Sequence, residues 1–423
     1  MSDTIFALSS GAPPAAIGVI RISGPDAGKA LRSLTGPLPE PRRASLRTVR
    51  SSDGDVLDQA LVLWFPGPRT ATGEDLVEMH CHGGRAVVRA LETELGRIEG
   101  LRQAEPGEFT RRAFANGVID LVEAEGLGDL LTAETELQRQ AAQTAYGGSL
   151  SRQLEAWRDR VLHLSAMVEA VLDFGDEDDV ETLPPDFFDR IAMLEQEWRD
   201  VIDAPQAERL KEGVRVALAG PPNAGKSSLF NALLDEGAAI VSEEAGTTRD
   251  AIERPVSFEG IPFVLVDTAG LRSEGAGAVE RIGIQRAEAE MERADIVLWL
   301  GDEGGGIDGA WEVDPKRDLE GKGKVNPRHS VSSVTGEGIP ELWADLARSA
   351  RSLLPKPNST ALNQRQLGAL RQALNSLPGN PHADPLIVAE HLRTARYALD
   401  RLQGRHSTED MLDSLFGRFC IGK

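Results

Sequence analysis

Val214-Arg-Val-Ala-Leu-Ala-Gly220-Pro-Pro-Asn-Ala-Gly225-Lys226-Ser227-Ser228-Leu-Phe-Asn-Ala-Leu-Leu234 is the stretch that decides how the middle of this chain folds. An apolar strand comes first, then G-x-x-x-x-G-K-S, then a helix-forming segment. That order makes a cradle for anions. Glycines let backbone N–H groups curl around a polyphosphate, the lysine neutralises its terminal charges, and the serine hydroxyl can bind Mg²⁺. The spacing puts Asn223, Ala224, Gly225, Lys226, Ser227 and Ser228 at the ligand.

A second phosphate motif follows. The apolar strand Phe263-Val-Leu-Val266 ends in Asp267-Thr268-Ala269-Gly270. An acidic residue at a strand's end can hold Mg²⁺ through water, and Gly270 offers a backbone N–H to a γ-phosphate. Between the two motifs lies Ser242-Glu243-Glu244-Ala245-Gly246-Thr247-Thr248, assigned to the same nucleotide, with Thr248 adding a second hydroxyl to the metal. Order and spacing resemble a translation-factor-type GTPase. A kinase is the wrong comparison: Asp173-Phe-Gly175 reads D-F-G, but no H-R-D loop accompanies it.

Base recognition departs from the usual pattern. GTPases commonly place N-K-x-D after the strand that here follows Ala294-Asp-Ile-Val-Leu-Trp-Leu300, and the match is Pro315-Lys316-Arg317-Asp318. Asp318 can take the N1 and N2 hydrogens of guanine and Lys316 can cover its face, but proline replaces asparagine and one polar contact is missing. A lost hydrogen bond predicts affinity weaker by about 1 kcal/mol. Ser332-Ser333-Val334 stands in the place of the last base motif, S-A-x.

Composition sets outer bounds. A chain of 423 residues favours two or three domains, and 41% hydrophobic residues suffice for packed cores. No apolar run has membrane-spanning length, and Met-Ser-Asp-Thr lacks a signal pattern, so a cytoplasmic protein without membrane contact is expected. Two cysteines, Cys81 and Cys420, cannot make a disulfide framework. Net charge of −21 argues against a broad RNA-binding face, leaving a basic partner or a local patch, with Arg111 and Arg112 as candidates, to supply that grip.

Four segments emerge. Residues 1–118 mix short strands (4–8, 17–22, 60–65, 75–82) with a helix over 85–95, an α+β pattern. Residues 119–211 read as long helices. Leu150, Leu154, Trp157, Val161, Leu164, Val168 and Leu172 form one helical stripe, expected to be bundle core. The α/β nucleotide module occupies 212–348, inserted into a helical domain that resumes over 349–423, where Ser407 and Asp410 suggest a capping box. His80 and His82 share one face of a strand with Cys81 opposite. Too few further ligands can be placed for zinc, so a packed or surface strand is expected.

Runs spread over the whole chain support a closer resemblance: Gly18-Val-Ile-Arg-Ile-Ser-Gly24, Thr72-Gly-Glu-Asp75, His82-Gly-Gly84, Pro106-Gly-Glu-Phe-Thr-Arg-Arg-Ala-Phe114, and the terminal Cys420-Ile-Gly-Lys423. With the nucleotide motifs, they resemble the MnmE (TrmE) family of bacterial tRNA modification GTPases. The resemblance implies a homodimer joined through N-terminal domains, each binding a tetrahydrofolate derivative (5,10-methylene or 5-formyl). It also implies a complex with the flavoprotein MnmG, which carries the FAD and holds most of the tRNA, acting on carbon 5 of wobble uridine 34. By family pattern Arg21, Glu78 and Lys423 contact folate, and Cys420 lies near it. Where Val118 stands the family often has lysine or arginine. Valine can neither donate a hydrogen bond nor pair with a carboxylate, which removes that contact here.

Leu271 stands where many GTPases keep the glutamine that orients water. Glu280 matches the family's catalytic glutamate instead. The family also uses K⁺ in the place of an arginine finger, with Asn223, Ser242, Glu244 and Thr247 as its matched ligands; such a cation offsets charge developing between phosphates. Two other readings remain at this stage. One is a regulatory GTPase switch in ribosome or RNA maturation, separable by folate binding to residues 1–118. The other is a scaffold with a degenerate nucleotide site, separable by turnover.

Overall fold

The computed structural model describes residues 3–174, 182–239, 253–268, 278–318, 323–356, 361–380, 382–406 and 408–422. The chain divides into two compact units, Met1–Gly128 with Asp400–Lys423, and Asp129–Leu399.

The first unit opens with β1 (Thr4–Leu8), β2 (Ile17–Ser23), α1 (Ala27–Thr35), β3 (Ser45–Arg50), β4 (Val56–Phe65) and β5 (Leu76–His82). It continues through α2 (Arg85–Gly96), β6 (Leu101–Gln103), α3 (Glu108–Ala115) and the start of α4 (Leu121–Thr132). Its described strands form one sheet in the order β3-β4-β5-β2-β1-β6, antiparallel except for β1 beside β6. Alternation decides the faces, because successive side chains on a strand point opposite ways. Ile20, Ile22, Val62, Trp64, Val77 and Met79 turn to a core closed by Ala30, Leu31 and Leu34 of α1 and Val88, Leu91 and Leu95 of α2. The alternate positions carry a different row: Leu46, Leu61, His80 and Val19 lie opposite one another across four strands.

In the second unit, α5 (Glu136–Tyr146) begins with a capping box from Thr135 and Gln138. The long α6 (Ser149–Phe174) packs on α7 (Phe187–Ile202), where Trp157 and Trp198 meet edge to face at 6.0 Å. The predicted stripe is buried from Leu150 to Val168, but Leu172 is exposed. Beyond Val168 the helix runs on for its last turns to Asp173 and Phe174, the residues that mimic a kinase motif. Then come α8 (Ala207–Glu212), β7 (Val214–Ala219), α9 (Lys226–Glu236), β8 (Ala238–Ala239), β9 (Glu253–Phe258), β10 (Ile261–Asp267), α10 (Ala278–Arg293), β11 (Ile296–Trp299), β12 (Trp311–Asp314), β13 (His329–Ser330) and α11 (Ile339–Leu353). The sheet order is β13-β12-β11-β7-β10-β9-β8, with β7 central and parallel to both neighbours. A strand buried on both faces needs apolar residues at every second position on each. Accordingly Val214, Val216 and Leu218 join one core while Ala217 and Ala219 join another.

Helices α12 (Gln364–Asn375) and α13 (Pro385–Leu402) complete that unit, and the chain returns to the first as α14 (Glu409–Phe416). Thr408, not Ser407, is the N-cap of α14, and it makes no side-chain cap bond; Ser407 and the Asp410 side chain lie outside the described residues. Phe416 and Phe419 pack with Leu121, Ala124 and Phe114. Among the described residues no helix is long and apolar enough to cross a membrane.

Candidate functional site: a phosphate loop and a tail-closed sheet edge

The phosphate loop leaves the C-terminal end of central β7. Gly220, Asn223 and Gly225 have φ values of 148°, 61° and 96°, and Gly225 caps α9, so the loop wraps backward before the helix begins. A Cβ at Gly220 would stand 3.0 Å from the Gly301 amide nitrogen, which leaves little room for any other residue there. Lys226 is 4% exposed, and its ammonium donates to the carbonyls of Gly220 (3.0 Å) and Pro221 (2.7 Å). The start of α9 adds the positive end of a helix dipole at the same point.

The two phosphate motifs meet. Ser227 Oγ donates to Asp267 Oδ2 at 2.8 Å, because β10 runs parallel to β7 with Asp267 opposite Leu218. A hydroxyl and a carboxylate in contact at a phosphate loop form a hard oxygen set of the kind Mg²⁺ takes. Thr268, included above among the nucleotide residues, turns its hydroxyl to the Leu218 carbonyl at 2.7 Å, tying β10 to the loop's base.

The base-side loop reaches the phosphate loop from β12. Lys316 Nζ donates to the Asn223 carbonyl at 3.1 Å, and Lys316 forms an antiparallel bridge with Ser332. Ser332 is buried and its hydroxyl accepts from the amides of Val334 (3.3 Å) and Thr335 (3.2 Å), while Val334 itself is exposed. Asp318 is exposed at the loop's end. The segment Ser242, Glu243, Glu244, Ala245, Gly246, Thr247 and Thr248 lies outside the described residues, as do Ala269, Gly270 and Leu271. Glu280 falls in the first turn of α10, and its side chain is likewise outside them.

A second polar centre occupies the first unit. Arg21 and Glu78 are cross-strand partners, and Arg21 Nη2 donates to Glu78 Oε1 at 2.7 Å. The Arg21 guanidinium lies 5.8 Å from the centre of the Phe109 ring. The C-terminal tail comes to the same α3 start: the Gly107 amide donates to the Cys420 carbonyl (3.5 Å), and Pro106 bridges Ile421. Gly422 has φ 93°, and a Cβ there would stand 2.2 Å from the Leu8 carbonyl oxygen, so the tail is laid closely on β1. Phe109 was not singled out from the sequence, although it lies inside the quoted Pro106–Phe114 run; the left-handed Gly107 just before α3 was the available signal. Cys420 is exposed, Val118 is 41% exposed beside Gly73, and Lys423 lies outside the described residues.

The suggested basic patch does not form. Arg112 is buried and donates to Asp3 (3.0 Å), Glu108 (3.0 Å) and Glu74 (3.2 Å), while Arg111 pairs with Glu409 and, at 2.9 Å, with Asp413. Burial works against the Arg112 charge, but Glu108 and Glu74 outweigh it and raise its pKa. Cys81 faces the core, its thiol donating to the Gly18 carbonyl at 3.2 Å, and burial pushes that thiol up to about 11. His82 turns away and pairs with Asp58 at 2.7 Å.

Residues 4–118 match the family described as GTP-binding protein TrmE N-terminus, and residues 121–420 match the MnmE helical domain. The chain is similar to the tRNA modification GTPase MnmE of Erythrobacter litoralis, 61% identical over 423 residues covering all of both chains. It is similar to that of Novosphingobium aromaticivorans at 56% over 437 residues, again covering both completely. Among solved structures it resembles the G domain of the T. maritima FeoB iron transporter, 27% identical with a TM-score of 0.24, over 32% of this chain and 98% of that one. It also resembles Aquifex aeolicus Era bound to GDP and AlF4⁻, 21% identical with a TM-score of 0.24, over 41% and 70%.

Proposed function

The chain belongs to the MnmE family of tRNA modification GTPases, using GTP and Mg²⁺, and from that membership we propose a specific role for it. It is a K⁺-activated GTPase of the cytoplasm that works as a homodimer with an MnmG-like flavoprotein. Together they build the aminomethyl or carboxymethylaminomethyl group on carbon 5 of wobble uridine 34 in tRNA. Tetrahydrofolate, when bound, supplies the one-carbon unit.

The observation that carries the hydrolase part is the Ser227–Asp267 hydrogen bond beside Lys226, which joins both phosphate motifs in one place. Lys226 and the α9 amides hold the phosphates, Ser227 and Asp267 hold the metal, and Glu280 orients the attacking water. Asn223, with Ser242, Glu244 and Thr247, holds potassium; its left-handed backbone at the loop's turn supports that reading. Folate fits the first unit's donor set: Glu78 accepts from the amino and ring N–H groups of a pterin, Arg21 donates to its carbonyl, and the tail closes over β1. The open sheet row with exposed Leu46 and Leu61 supports pairing of two N-terminal units, since solvent-facing apolar rows of this kind mark interfaces. With Arg111 and Arg112 neutralised and net charge at −21, tRNA affinity falls to the partner.

The wobble nucleosides of tRNA from cells lacking the gene test the whole reading: loss of the modified uridines is expected, and unchanged nucleosides overturn it. Replacing Na⁺ by K⁺ at equal ionic strength tests the cation. Turnover should rise, and equal rates would remove potassium from the mechanism.

A further inference from the structure

Guanine has two edges of opposite chemistry. N1–H and the N2 amino group are donors, whereas N7 and O6 are acceptors. A carboxylate serves the first edge, and only an N–H or O–H donor serves the second. Asp318 supplies the carboxylate at the end of the loop that follows β12. Pro315, three residues earlier, has neither an N–H nor a side-chain donor.

That loop is nonetheless anchored. Lys316 Nζ donates to the Asn223 carbonyl at 3.1 Å, the Arg317 amide donates to the Val331 carbonyl at 3.1 Å, and Lys316 bridges Ser332. Pro315 itself lies beside the phosphate loop: a Cβ built on Gly225 would stand 3.6 Å from Pro315 Cβ and 3.8 Å from its Cγ. Position and chemistry are thereby separated. Backbone bonds and Lys316 hold the loop against the phosphate loop, so the residue at 315 is free of that duty and bears on the ligand.

We infer that Pro315 leaves N7 of bound guanine without a side-chain partner, making it a specificity-determining residue that lowers affinity without loosening the loop. The inference rests on the guanine reading of this site.

Calorimetric binding of GDP, 7-deaza-GDP and IDP to the full-length chain with Mg²⁺ tests it. The unmodified chain should bind 7-deaza-GDP within about twofold of GDP, and IDP, which lacks the N2 donor facing Asp318, at least about tenfold more weakly. Pro315→Asn should tighten GDP by about fivefold and leave 7-deaza-GDP unchanged, the scale of one hydrogen bond. A loss beyond about fivefold on removing N7 from the ligand of the unmodified chain would overturn the inference, whether or not the variant folds. So would a Pro315→Asn protein that tightens both ligands equally or neither. Equal binding of GDP and ADP would overturn it together with the guanine reading.

Discussion

Two buried cations, Lys226 in the phosphate loop and Arg112 in the N-terminal unit, are 4% and 1% exposed, yet they are held in opposite ways. Two partners of Lys226 are neutral carbonyls, those of Gly220 and Pro221. A phosphate oxygen makes a charge-assisted bond roughly twice as strong, so a ligand can take their place. Arg112 is bonded to carboxylates of Asp3, Glu74 and Glu108, which no incoming anion improves upon. Burial of a charge therefore does not mark function by itself. The partners decide: exchangeable ones leave a binding group, and satisfied ones leave a structural group.

Exchanging Arg112 for methionine should give the largest effect on that comparison. Three carboxylates would lose their shared counter-charge, and stability of the first unit should fall by about 3–5 kcal/mol, the cost of breaking a buried pair from one side. Hydrogen exchange over residues 4–118 reads this, and GDP binding should stay within about twofold. A parallel loss of nucleotide binding would break the division between the two cations.

Lys226→Ala is the converse case. GTP turnover should drop about a hundred- to thousandfold, as when a preorganised charge-stabilising group is lost, while urea unfolding shifts by less than about 1 kcal/mol. A variant that unfolds would make Lys226 structural like Arg112. Within the same site, Glu280→Ala should lower turnover by about a hundredfold with nucleotide affinity kept. Unchanged single-turnover rates would return water orientation to another residue.

Acid should separate the two cations more gently. Despite burial, which works the other way, Arg102 and Arg112 hold Glu108 below its usual 4.5, and Asp3 is likewise lowered. A lowered carboxyl stabilises fully above its unfolded value and loses that contribution as pH falls through the folded one. Thermal unfolding of the first unit should thus be level from pH 7 to about pH 5 and decline below about pH 4.5. Arg112→Met should flatten the decline, and an unaltered slope would remove the network as its cause. The smallest stability change belongs to Arg21→Gln, about 1 kcal/mol or less for a half-exposed pair. Tetrahydrofolate affinity should fall at least about tenfold in the same protein, and unchanged affinity would make Arg21–Glu78 an ordinary cross-strand pair.

Much of the nucleotide module was legible because its chemistry is contiguous. Gly220 to Ser228 specify strand, loop and helix within one short run, and Asp267 ends an unmistakably apolar strand. The first unit was less so. Ser45–Arg50 alternates too weakly to announce β3, and it pairs with β4 because tertiary burial of Val49 rewards it. The Pro106–Phe114 run was readable as a signature, but not as helix α3 packed beside Arg21. Leu172 satisfied the helical period and still lies exposed, since period reports which face a residue shares, not how far its partner helix extends.

From sequence alone follow the phosphate loop, its parallel-sheet context, the proline in the base motif and the family resemblance, because each depends on local backbone geometry or on side-chain chemistry at fixed spacing. Tertiary structure alone decided that Ser227 meets Asp267, that Gly422 is laid on Leu8, and that Arg112 is sealed among three carboxylates. Those contacts join residues 40 to more than 400 positions apart, where no periodicity reaches and only the packing of sheets and helices selects the partner.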